Sequence, residues 1–117
     1  MRLIDYPAAI AQKQRELLQT EQHVRRLQDV INRLTAEIDT TIAFDTALRN
    51  DAQRKAKRIE LMQAAEYRKA ATNLQIAQDQ HAGIEIDLNL LRNQFSVLKL
   101  ELRESIASRE LQMLDAA

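Results

Sequence analysis

The chain has 117 residues, with 17 Lys and Arg balanced by 17 Asp and Glu, a single Gly, a single Pro and no Cys. That length suits one domain, and so few turn-forming residues exclude the many reversals of a sheet protein. The lack of Cys excludes a disulfide framework and thiolate metal sites. Only four aromatics are present, and Leu, Ile and Ala supply most of the apolar content. Gln, Glu, Arg and Lys fill much of the rest, all good helix formers. An all-α chain with a narrow helix–helix seam is expected, rather than a thick core. The N-terminus carries no secretory apolar run. No stretch approaches the roughly 18 apolar residues of a membrane span. The expectation is a cytoplasmic protein with no membrane partner.

Residues 1–6 read as a short lead-in. Pro7 suits the first turn of a helix, where its missing N–H costs nothing, and Asp5 adds favourable negative charge there. From Ala8 the pattern is helical, with Leu17, Val24, Leu27, Ile31, Leu34 and Ile38 on one stripe and Thr20 as a weak member. A four-residue step from Ile38 to Ile42 resembles a stutter. Asp39, Thr40 and Thr41 are poor helix-interior residues, so a bend is expected there. Helix one spans about 7–49. Asn50–Asp51 is the best break in the middle of the chain, because Asn tolerates a left-handed C′ position and Asp can cap the next helix. A tip or connector follows over about 50–65, itself helical in propensity.

The long helix, about 66–114, carries the clearest signal in the chain. Tyr67, Leu74, His81, Leu88, Phe95 and Leu102 recur every seven residues, interleaved with Ala70, Ala77, Ile84, Leu91 and Leu98. This is a heptad seam sustained over five repeats. Gly83 lies within the helix and costs about 1 kcal/mol against Ala in a helix interior. The expected fold is a single long antiparallel helical hairpin, a coiled coil over residues 1–117, with a short third helical segment at the tip.

Two registers fit the stripes. In one, residues 49–66 form the tip, and Leu17 lies near Leu98, Val24 near Leu91, Leu27 near Leu88, Ile31 near Ile84 and Ile38 near Ala77. Large side chains meet large ones, which gives this register the preference. In the other, the chain turns tightly at Asn50, and Ile42 lies near Ile59, Ile38 near Met62 and Leu27 near Leu74. The stripe Leu88, Leu91, Phe95, Leu98 and Leu102 then overhangs as a helix–helix interface awaiting a partner.

Catalytic chemistry finds no support in the residues. His23 follows Glu21 and His81 follows Asp79, whereas carboxylate di-metal bundles use Glu-x-x-His. His81 sits on the seam, where a polar residue tunes register or oligomer state. Ser96, Ser105 and Ser108 lack a glycine-flanked elbow and a nearby His. One Gly cannot build a phosphate-cradling loop. No catalytic residue, cofactor, metal or small-molecule substrate is therefore expected. Tyr67 and Phe95 fall on the seam and read as packing residues.

Charge is uneven along the chain. Residues 49–69 hold seven basic against three acidic side chains, between two mildly acidic arms. Arg49, Arg54, Lys55, Lys57 and Arg58 form the candidate contact for phosphates or an acidic partner, since helical spacing clusters Arg54, Lys55 and Arg58. Against it, no aromatics interleave for base stacking and the whole chain is neutral. The chain also lacks the Trp-x-Gly turn of helical-hairpin secretion substrates, and its basic middle is unlike the acidic tips of hairpin factors that enter polymerase channels. No family is identified. The reading that results is a non-enzymatic structural or adaptor protein, acting by self-association into a homo-oligomer or by binding a partner helix. The alternative is a nucleic-acid accessory protein using the basic middle segment.

Overall fold

A computed structural model of the protein describes residues 1–116. A 3-10 turn (Leu3–Asp5) leads into α1 (Tyr6–Ala43), followed by a short α2 (Asp51–Met62) and a long α3 (Ala65–Ala116). No strand occurs among the described residues. The fold is all-α, an antiparallel hairpin of α1 and α3 with α2 as the short third helix. Two compact units are distinguished: residues 1–18 with the segment from Ala82 on, and Gln19–His81.

The start of α1 follows local chemistry. Asp5 accepts a hydrogen bond from the Arg2 backbone N–H at 3.0 Å, closing the lead-in turn. Pro7 then falls in the first turn of α1, where no intrahelical donor is required. Helix one does not reach residue 49, and it shows no break at Asp39–Thr41. Instead the hydroxyls of Thr40 and Thr41 donate back to the carbonyls of Ala36 and Glu37, each at 2.9 Å. The helix ends at Ala43, two residues after this pair. Such back-bonding satisfies the hydroxyls within the helix and adapts the threonines to its last turn.

Asn50 marks the second helix start, but by a different geometry from the left-handed one expected. Its backbone is extended (φ −147°), and its side chain accepts from the Gln53 N–H at 2.9 Å. Gln53 Oε1 in turn accepts from the Arg49 N–H at 2.7 Å. Asn50 is therefore the N-cap itself, in a reciprocal arrangement close to a capping box. Asp51 takes the first helical position, where its charge favours the helix N-terminus.

On α3, the residues that are not exposed are Tyr67, Ala70, Leu74, Ala77, His81, Ile84, Leu88, Leu91, Phe95 and Leu98. These are the heptad positions read from the sequence, ending one member short of Leu102. The core is thin: among the described residues the buried apolar ones are Tyr6, Leu34, Ile38, Ala70, Ala77 and Leu88, and no large side chain is fully enclosed.

The register is the tight-turn one, two heptads away from the preferred alternative. In the Gln19–His81 unit, Leu34 and Ile38 line a shallow groove with Leu61, Ala64 and Tyr67, and Glu21 lies beside His81. In the other unit, Tyr6 stacks on Phe95 with ring centroids 5.7 Å apart and planes 4° from parallel. Lys13 also comes within 4.0 Å of Asp87. The same offset sets Val24 level with Ala77 and Ile31 level with Ala70, alternating with Leu27 level with Leu74. Large side chains thus sit over small ones at the Val24–Ala77 and Ile31–Ala70 layers of the Gln19–His81 unit. Two helices can then approach closely and fill the space between them, as close packing requires. Matching large to large would hold the backbones apart at those layers.

Two measurements check this fold. In denaturant unfolding, a double-mutant cycle on Tyr6→Leu and Phe95→Leu is expected to give a coupling of about 1 kcal/mol. The Leu17→Ala and Leu98→Ala cycle should give a coupling near zero, because separated sites add. Asn50→Ala is expected to destabilise α2 by about 1 kcal/mol through loss of the cap, read as faster amide exchange in residues 51–62.

Candidate functional site

Three features of the surface bear on function: the basic middle segment, the polar positions along the seam, and the exposed apolar side chains of α3.

The basic segment is largely paired. Arg58 Nη1 bonds the Asp39 carboxylate of α1, joining α2 to α1. Arg54 meets Asp51 at 2.9 Å, and Lys57 meets Glu60 at 3.7 Å. Lys55 joins Arg54 and Arg58 along a shallow groove with Asp39 and Ile42. Arg49 lies in the connector and engages Gln53 through its backbone. The five sequence candidates are therefore brought to one end of the Gln19–His81 unit, and Asp39 adds a carboxylate that the linear charge count placed elsewhere. Exposed pairs of this kind contribute little to stability, but they lower the positive potential available to a phosphate.

The seam contains polar members of clear local function. Lys13 occupies a seam position and reaches Glu16 at 3.0 Å, its aliphatic stem covering apolar surface while the ammonium stays near water. His81 Nε2 lies 3.4 Å from Glu21 Oε1, in a shallow groove also lined by Val24, Arg25 and Gln78. His23 is exposed. Among the described residues, no group of three or more His, Asp or Glu side chains could hold a metal ion. No helix among them is long and apolar enough to cross a membrane.

The expected interface stripe is placed differently from its sequence reading. Leu88 is buried, and Leu91, Phe95 and Leu98 are half-buried against the N-terminal part of α1. Only Leu102 among the five is exposed. The reason is that the lead-in belongs to the seam. Leu3, Tyr6, Ile10 and Lys13 continue the stripe of α1 toward its N-terminus at the same three- and four-residue spacing. They cover α3 as far as Leu98. Phe95 is also flanked by Lys99, whose Nζ lies 4.4 Å from the ring centroid, a cation–π contact.

A second apolar stripe, absent from the sequence reading, runs along the other side of α3. Ile86, Leu90, Val97, Leu100, Leu111 and Leu114 are between 53% and 73% exposed. With Asn93, Glu104 and Ala107 they repeat in alternating steps of four and three residues, a heptad offset by two positions from the buried seam. Because both faces of α3 are apolar, the helix has little net amphipathicity, and the stronger stripe hides the weaker one. The signal that would have revealed it is the same 3/4 periodicity, tested in a second phase.

No family model matches the chain, and no curated protein or solved structure matches it.

Given the pairing of Arg54, Lys57 and Arg58, retention on immobilised heparin is expected to be weak and lost by about 0.15 M salt, where screening is strong. A fourfold Glu substitution at Arg54, Lys55, Lys57 and Arg58 should change the elution salt only slightly. A large, salt-steep loss would instead favour phosphate contacts.

Proposed function

We propose that this chain is a non-enzymatic structural or adaptor module that works by helix–helix association, in the manner of a coiled coil. The observation that carries this reading is the exposed heptad stripe on α3. Monomeric soluble proteins rarely expose contiguous apolar patches larger than a few hundred Å². Six exposed Leu, Ile and Val side chains along one helix face present on the order of 600 Å², at the upper end of that range. Their spacing suits another helix rather than a compact ligand, since a heptad stripe packs knobs into the holes of a facing helix. Shallow grooves of the Gln19–His81 unit are lined by seam and surface residues. The nucleic-acid reading has less support, because three of its five basic side chains already engage carboxylates of the same chain.

A photo-crosslinking amino acid placed at Leu90 or Leu100, in the organism's own cells, is expected to yield one discrete protein adduct. The same probe at Gln63, which is exposed away from the stripe, serves as the control. Absence of a discrete adduct from both stripe positions would overturn the association reading.

A further inference from the structure

We infer that the exposed stripe of α3 pairs with the same stripe of a second copy of this chain, antiparallel, over Gly83–Leu114. This rests on the association reading above and names its partner. The stripe is interrupted by two polar residues, Asn93 and Glu104. They lie at equal distances on either side of the boundary between Leu98 and Lys99. An antiparallel pair centred on that boundary places Asn93 of each copy opposite Glu104 of the other, so that an amide donor meets a carboxylate. The remaining layers interlock by size: Gly83 with Leu114, Ile86 with Leu111, Leu90 with Ala107, and Val97 with Leu100. Gly83 has open space where a side chain would project, so it leaves room for the large residue across from it.

The flanking charges agree with this arrangement. Centred in this way, Arg103 faces Ser96, Asp87 faces Ser108, Glu110 faces Asn89 and Glu101 faces Gln94. No like charges are opposed. A parallel pair would instead bring Glu104 against Glu104 in the apolar layer and Glu110 beside Asp115, both unfavourable. The contact spans about 48 Å of helix at 1.5 Å per residue. Two stripes together bury roughly 1,200 Å² of apolar surface, the lower bound for a stable specific interface. Asn93 and Glu104 then act as the register lock of the pair, since any slip by a heptad leaves each of them against an apolar side chain.

The chain has no native Cys, which makes disulfide trapping unambiguous. Light scattering on the unmodified protein is expected to give twice the monomer mass at micromolar concentration. Under mild oxidation, Leu114→Cys alone should give no covalent dimer, because the two copies of that position lie far apart. A mixture of the Gly83→Cys and Leu114→Cys proteins should give a covalent heterodimer as the main product. Circular dichroism on each variant controls for folding. Self-crosslinking of Leu114→Cys, or a dimer whose mass survives Val97→Asp with Leu100→Asp, would overturn the antiparallel pairing while leaving association by another route intact. A monomeric mass together with a stripe adduct to a different protein would also overturn it, and would leave the association reading standing. A monomer with no stripe adduct would remove both.

Discussion

The interlocking of large with small side chains between α1 and α3 is the constraint on which the rest of this structure depends. With Ala70 and Ala77 buried on α3 and Ile31 and Val24 level with them on α1, the two backbones can come close enough to exclude water from a seam only one side chain wide. Among the described residues, no large side chain is fully enclosed. Stability must therefore come from a long series of half-buried contacts, each a modest apolar transfer, rather than from a central core. Such a seam is sensitive to register. Displacing it by one heptad toward the C-terminus of α3 would set Val24 against Ile84 where it sat over Ala77, and would separate Tyr6 from Phe95.

Polar seam residues fit the same constraint. Lys13 and His81 stand at positions that geometry reserves for apolar side chains, yet neither is fully enclosed, and each has an acidic neighbour within 4.0 Å. Their cost is small because the seam is thin and water lies nearby. Their effect is positional: a charged or hydrogen-bonding group on the seam is satisfied in one alignment and stranded in others. At the other end of the Gln19–His81 unit, the Arg58–Asp39 pair and the Asn50 cap hold α2 where Leu61 and Ala64 can meet Leu34 and Ile38.

Helix α3 carries two apolar stripes in different phases of the same periodicity. One stripe closes the hairpin against α1. The other, made of similar residues in a second phase, is exposed among the described residues. An ordinary surface helix shows one apolar face and one polar face; α3 shows two apolar faces, which is the ground for proposing association. In the proposed antiparallel pair the polar interruptions at Asn93 and Glu104 bear on specificity, since their symmetric placement distinguishes one alignment from its neighbours.

The helical class, the ten seam positions of α3 from Tyr67 to Leu98 and the break at Asn50 were all legible from residue order, because each depends on chemistry local to a few turns: propensity, 3.6-residue periodicity and capping. The length of α1, the membership of Leu3, Tyr6 and Ile10 in its stripe, the pairing of Arg58 with Asp39 and the register of the hairpin were decided by tertiary structure. The physical reason is the repeat itself. A heptad pattern looks the same after every shift of seven residues, so polarity cannot choose among alignments. Specific contacts between residues far apart in the chain choose instead, here the Tyr6–Phe95 stack in one unit and the Glu21–His81 and Asp39–Arg58 pairs in the other.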